Sequence, residues 1–368
     1  MPGFHADHVG SLLRPRALLD AREAHGRGEI PDEALAAAED EAIRGVLRLQ
    51  QEAGVEVYTD GEFRRTSWMS AIYEAAEGLV PRGQAPDMRR FWSGPGADEA
   101  NSELPIPQVS ARERLKLKRR LTGTETGFLA RHAPGPFKAT MPGPTMYLNL
   151  FEAGVSEPAY ADREALLEDL VAIYQAEVEA QVRDGAAYVQ LDSLRYTQIL
   201  AGLEPMWGGL PMDQAIGQAV AADNAVLERA KAVGAVTGVH ICRGNHRSAW
   251  AASGSYEPVA ERLFGETAAD RLLLEFDDER SGGFEPLRFV PKGKTVVLGL
   301  VTTKTAALED QDLLRRRVDE AARYVDLEYL AISPQCGFAS TYLGNLLSED
   351  DEKRKLELVA DTARSIWG

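Results

Sequence analysis

Two cysteines in 368 residues are too few for a disulfide framework, and that scarcity points to a reducing compartment, the cytoplasm. No stretch approaches the roughly 18 consecutive apolar residues a membrane-crossing helix needs. The opening MPGFHADHVGSLLRP lacks the basic region and apolar run of a secretory signal. Basic residues are outnumbered, 41 against 57 acidic, for a net charge of -16. Such a surface repels nucleic acid and anionic membranes, so neither is an expected partner and small molecules are. There is no internal repeat or low-complexity segment. The first apolar run is not followed by G-x-G-x-x-G, which removes the best sequence signal for a dinucleotide-binding sheet.

What is present is a hydrophobic share of 44%, ample for a buried core, distributed in a regular alternation. Short apolar runs at 4–9, 55–59, 137–141, 187–191, 236–241, 272–276, 295–301 and 329–332 each end in polar or glycine-containing turns. Amphipathic stretches at 31–53, 163–184, 211–233, 256–264, 308–325 and 350–367 carry apolar residues at helical spacing, as in Leu166, Leu167, Leu170, Val171 and Tyr174. Strand-then-helix alternation predicts a parallel sheet with helices outside it. Eight runs fit a closed (β/α)8 barrel, an α/β fold of TIM type, with residues 1–368 as a single domain. The polar segment at about 82–132, rich in Pro, Gly and Arg, is too long for a simple loop. It reads as an elaboration between the second and third strands, a lid or an arm.

In such a barrel the active site forms at the C-terminal ends of the strands, so the residues just after each run carry the information. In order they are Gly10 and Ser11; Asp60, Gly61 and Glu62; Pro142 to Thr145; Asp192 and Ser193; His240 and Cys242; Glu275, Asp277 and Asp278; Thr302, Thr303 and Lys304; and Cys336. Both cysteines of the chain lie in this ring. His-x-Cys on an extended strand turns both side chains to one face, because side chains alternate with period two. A second Cys from another strand end completes a nitrogen–sulfur set suited to Zn²⁺. Ligands spread over several strand ends suit a catalytic zinc, whereas a structural one is normally built from local C-x-x-C pairs. Taken singly, each Cys reads as a small buried hydrophobe and the His as a structural residue. Glu275 is either a further ligand or the charged residue that ends a strand; Asp277 and Asp278 read as solvated loop carboxylates.

At these residues the chain resembles the catalytic C-terminal barrel of cobalamin-independent methionine synthase, within the wider methionine-synthase and uroporphyrinogen-decarboxylase-like superfamily. The matching pieces are His8-Val9-Gly10-Ser11, Asp60-Gly61-Glu62, the run from Lys138 to Thr145, Leu191-Asp192, His240-x-Cys242, Glu275 and Cys336-Gly337. The resemblance covers nearly the whole chain and is to short members without a duplicated N-terminal barrel. It implies a zinc-dependent S-methyltransferase that moves a methyl group to the thiol of homocysteine to give methionine, with zinc on His240, Cys242, Glu275 and Cys336. It implies further that Val9, Gly10 and Ser11 cradle the amino-acid carboxylate, and that Glu62 and Asp192 grip the ammonium group. For those two carboxylates a structural ion pair with a nearby arginine is the competing reading.

Two places depart from the full-length family. Asp192 is followed by Ser193-Leu194 where the family reads Asp-Glu-Pro, and Lys304 stands after the seventh strand where the long enzymes carry Asp-x-His. The methyl donor is therefore open between a methyl-folate and a methylcorrinoid. An alkyl-to-thiol transferase of the epoxyalkane–coenzyme M kind would keep the zinc ligands but have less use for Glu62 and Asp192. A metal-free decarboxylase-like barrel would have no use for the His-x-Cys and Cys336 set. A zinc-binding protein without activity would leave the polar ring idle.

Overall fold

The computed structural model describes residues 4–82, 92–102, 107–202 and 209–368. Parts of the expected elaboration, residues 83–91 and 103–106, lie outside the described residues. In chain order the helices are α1 (Arg16–Gly26), α2 (Asp32–Ala53), α3 (Ser70–Ala75), α4 (Ala97–Ser102), α5 (Gly123–His132), α6 (Arg163–Arg183), α7 (Arg195–Leu200), α8 (Met212–Ala232), α9 (Glu257–Glu266), α10 (Gln311–Ala321) and α11 (Glu349–Trp367). The strands are β1 (Ala76–Pro81), β2 (Val109–Leu117), β3 (Lys138–Pro142), β4 (Tyr188–Ser193), β5 (Val236–Ile241), β6 (Arg271–Glu275), β7 (Thr295–Val301) and β8 (Leu330–Pro334). None of the described helices is long and apolar enough to cross a membrane.

β3 to β8 form one parallel sheet in sequence order, joined by helical crossovers. Every residue of β3, β4, β6 and β8 is buried, as expected of strands covered on both faces. The fold is the expected α/β barrel, with one correction to its ring. The runs at 4–9 and 55–59 occupy the first two stave positions, yet each makes a single bridge, Ala6 to Ile332 of β8 and Tyr58 to Phe137 just before β3. The backbone–backbone bond between these two runs is from Glu56 N to Ala6 O, at 3.3 Å. The reason is that side chains take the backbone donors a ladder would use. His5 N and Ala6 N donate to Glu56 Oε2, His8 N donates to Asp7 Oδ1, and Thr59 N donates to Gln50 Oε1. Among the described residues, regular hydrogen-bonded strands therefore number six in the ring.

The interior is layered. At the N-terminal end Asp7 is clamped by Lys138 at 2.8 Å and Arg271 at 3.2 Å. Leu273, Val297 and Ala331 fill the layer above. The polar residues of the strand ends sit above that. β2, within the elaboration, pairs antiparallel with β1, which ends just before it, a ribbon that the sequence reading missed. Another described part, 92–102, reaches the loop after β5 through a bridge between Ser93 and Trp250. Gly94 permits the approach: a Cβ there would lie 1.7 Å from the Trp250 ring.

Candidate functional site

β5 carries His240 next to its last residue, Ile241, and the ladder continues one residue further, since Cys242 N donates to Ser193 O at 2.9 Å. That register places His240 and Cys242 on the same face, toward the mouth of the barrel. β6 contributes Glu275 at its last position, and the turn after β8 contributes Cys336. The ligand atoms of these four residues all lie within 4.8 Å of one another, and all four side chains are buried. The two Sγ atoms are 3.4 Å apart.

The donor set fits a metal ion on its hydrogen bonding. His240 Nδ1 lies 3.3 Å from Leu273 O, and with its proton there the ring presents a lone pair at Nε2. That Nε2 is buried without a hydrogen-bond partner, and so is Glu275 Oε2. Orphaned buried acceptors of this kind are costly unless a cation satisfies them. The remaining atoms are held from behind, as ligand-supporting shells are. Arg243 N donates to Glu275 Oε1 at 2.7 Å and Gly244 N to Cys242 Sγ at 3.2 Å. Burial pulls the His240 imidazole down, but Cys336, Asp192 and Glu275 push it up to about 9, so the bare ring holds at Nε2 a proton that a bound cation would displace. Glu275 is pushed up to about 7, chiefly by burial. Cys336 is drawn well below the usual thiol range by its hydrogen bond to Cys242 and by His240, while Cys242 is raised. Anion-forming groups crowded in this way form a place for a positive ion.

A cavity of about 80 Å³ opens in front of the cluster, lined among others by Val9, Ser11, Glu62, Asp192, His240, Cys242 and Cys336. That is room for several water-sized positions. Glu275 reaches the cluster from behind and does not line it. Gly10 does not line it either; it has φ +141°, and a Cβ there would meet Thr140 Cγ2 at 2.8 Å. Glu62 sits at φ 61°, a backbone conformation rare outside glycine. Its Oε1 accepts from Thr140 Oγ1 at 2.8 Å and pairs with Arg65 at 3.2 Å, while its Oε2 is buried with no partner. Both readings of Glu62 thus have an oxygen. Asp192 accepts from Gln190 Nε2 at 2.7 Å, and burial pushes its carboxyl up to about 7. Asp277 and Asp278 are bound to Arg280, at 3.0 and 2.7 Å, away from the cavity.

Sequence reasoning passed over the opposite wall. Trp68, Met69, Trp92, Met146 and His246 line it. Trp92 arrives from the elaboration and packs against the His246 ring at 5.4 Å. His246 is set by a tight turn in which Arg247 and Ser248 have φ 50° and 69°; that strain sits beside the cavity. Burial and Arg247 push the His246 imidazole down to about 4.

The family described as "Cobalamin-independent synthase, Catalytic domain" matches residues 136–348. Protein YxjH of Bacillus subtilis, described as uncharacterized, is 37% identical over 99% of this chain and 95% of its own length. The methionine synthase of Pyrococcus abyssi is 26% identical over 92% of the chain and 87% of its own length. A crystal structure described as a putative vitamin-B12 independent methionine synthase from Listeria monocytogenes superposes with a TM-score of 0.77 at 29% identity, covering 100% of this chain and 99% of that one. The matched region holds β3 to β8 and every residue of the metal-type cluster, and on these grounds the chain belongs to the cobalamin-independent methionine synthase family of methyltransferase-type barrels.

Proposed function

We propose that the protein is a zinc-dependent S-methyltransferase that transfers a methyl group to the thiol of homocysteine, giving methionine. The observation that carries this reading is the convergence of His240, Cys242, Glu275 and Cys336, with two orphaned acceptor atoms and two adjacent sulfurs, on a cavity that also holds Glu62 and Asp192. Zinc bound there would favour the thiolate of a substrate sulfur, which as a free thiol of pKa about 8.5 is mostly protonated near neutrality. The chain's own residues orient that substrate. Glu62 Oε2 and Asp192 are the acceptors for an ammonium group, and Ser11 with the backbone around Val9 and Gly10 receives the carboxylate. Such positioning removes much of the entropic barrier of a two-reactant transfer. The apolar wall of Trp68, Met69 and Met146 faces the donor, a methyl-folate or a methylcorrinoid; turnover with methyl-tetrahydrofolate and methylcobalamin side by side identifies which.

Elemental analysis of protein purified without chelator should find about one zinc per chain. Cys242→Ser and Cys336→Ser should each abolish its retention and homocysteine methylation together. An active, metal-free enzyme would sink the reading.

A further inference from the structure

We propose that Lys304 is an electrostatic positioning residue: its buried ammonium offsets the negative charge that gathers at the His240–Cys242–Glu275–Cys336 cluster when a substrate thiolate joins it. The inference rests on the thiol-transfer reading above and concerns a residue outside the ligand set.

Lys304 follows β7 in the run Thr302-Thr303-Lys304 and is 5% exposed. Its Nζ donates to Gly244 O at 3.1 Å and to Asn245 Oδ1 at 3.4 Å, both neutral acceptors. Among the described residues no carboxylate pairs with it. A buried ammonium held only by neutral partners is costly. It persists where the surrounding field is negative, and the field here has an identifiable source. The two acceptors belong to the residues that follow Cys242. Gly244 N donates in turn to Cys242 Sγ at 3.2 Å. Asn245 Nδ2 donates to Gly337 O, beside Cys336, at 2.7 Å and to Thr303 Oγ1 at 3.0 Å. The ammonium is therefore lodged in the loop that ties both cysteines together.

Two thiolates and a carboxylate around a divalent ion leave one net negative charge, and a substrate thiolate makes it two. In a site this buried the second charge is strongly disfavoured without a nearby cation. The charged groups that face Lys304 are Glu275, Cys336 and Asp277, and its charge acts to hold all three toward their anionic forms. Asp277 is already bound to Arg280 at 3.0 Å. Arg243, the neighbour of Cys242, stacks its guanidinium on the Tyr256 ring at 4.3 Å. Arg243 has no carboxylate partner among the described residues either; Lys304, anchored on Gly244 and Asn245, is the one whose charge bears on both Glu275 and Cys336.

The test compares wild type, Lys304→Met and Lys304→Arg. Homocysteine affinity is read by calorimetry across pH, metal content by elemental analysis, and the melting temperature on zinc-stripped protein. For Lys304→Met we expect zinc to be retained and the homocysteine Kd to rise about tenfold or more. The pH dependence of thiol binding should move upward. Zinc-stripped Lys304→Met should melt no lower than stripped wild type, because an unpaired buried charge has gone. Lys304→Arg should recover most of the thiol affinity. A Lys304→Met protein that binds homocysteine with wild-type affinity and pH dependence overturns the inference alone. A stripped variant that melts well below wild type overturns it in favour of a purely structural brace. A wild type without zinc or thiol affinity overturns both this inference and the reading beneath it.

Discussion

A carboxylate that is buried without a full set of donors is held ready for a ligand, and Asp192 is the residue where this matters most. Its carboxyl is pushed up to about 7 by burial, and it accepts from the Gln190 side chain. An incoming ammonium would reverse that shift and form a charge-assisted hydrogen bond. Asp192→Asn should therefore weaken homocysteine binding by about 1.5–3 kcal/mol while leaving the zinc content unchanged. Isothermal titration with homocysteine and with an amine-free thiol of the same length checks it. Equal affinity of the wild type for the two thiols would remove the ammonium role from Glu62 and Asp192 together. Which residues could be read from the sequence follows from distance along the chain. His240 and Cys242 were legible because strand period alone puts them on one face. Glu275 was ambiguous, since a strand-terminal carboxylate looks the same whether it points inward or out. Trp92, Trp68 and His246 were not legible, because their place on the cavity depends on how separate loops dock.

Helix α8 and strand β3 share a buried carboxylate that gives the element scale its own signature. Asp223 of α8 is fully buried; its Oδ2 accepts from Tyr196 OH at 2.6 Å and its Oδ1 has no partner. Oδ1 lies against Gly143, at the end of β3, where a Cβ would come within 2.9 Å. Burial pushes the carboxyl up to about 7 against the lowering effect of the Tyr196 hydrogen bond. Its proton is thus held in the folded state and lost in the unfolded chain above the ordinary value of about 3.9. The resulting stability is complete below that value, declines as pH rises toward 7, and stays low above it. Asparagine copies the protonated form, so Asp223→Asn should be more stable than wild type at pH 8. The gap should close as the pH falls to 4, which urea melts across that range will show. The six regular barrel strands were read within about two residues, because fully buried strands are continuous apolar runs. The ribbon of β1 and β2 was missed for the converse reason. β2 reads Val-Ser-Ala-Arg-Glu-Arg-Leu-Lys-Leu, mostly exposed, and its pairing partner supplies what its composition does not.

At the scale of the whole molecule, the metal-type cluster fastens strand ends that are far apart in sequence. Cys242 and Cys336 are separated by 94 residues, and the four donors come from the ends of β5, β6 and β8. An ion that binds the folded chain and not the unfolded one adds its binding free energy to stability. Chelator-stripped protein should melt at least a few degrees lower than zinc-loaded protein, and added zinc should restore the difference. Cys336→Ser should show one melting temperature with or without the metal. The barrel was legible as an alternation of runs, but its incomplete first two staves were not, since composition does not reveal that Glu56, Asp7 and Gln50 divert backbone donors. Those staves carry a consequence for truncation. The segment with Val9 and Ser11 is held by Ile332, through Asp7 N to Ile332 O and Ile332 N to His5 O, and by Glu352, which accepts from Leu13 N. The segment around Val9 thus finds its partners more than 300 residues further along the chain. A chain cut before residue 332 would lose that clasp and Cys336 together, so on the proposed reading one truncation would remove both the substrate pocket and the metal site.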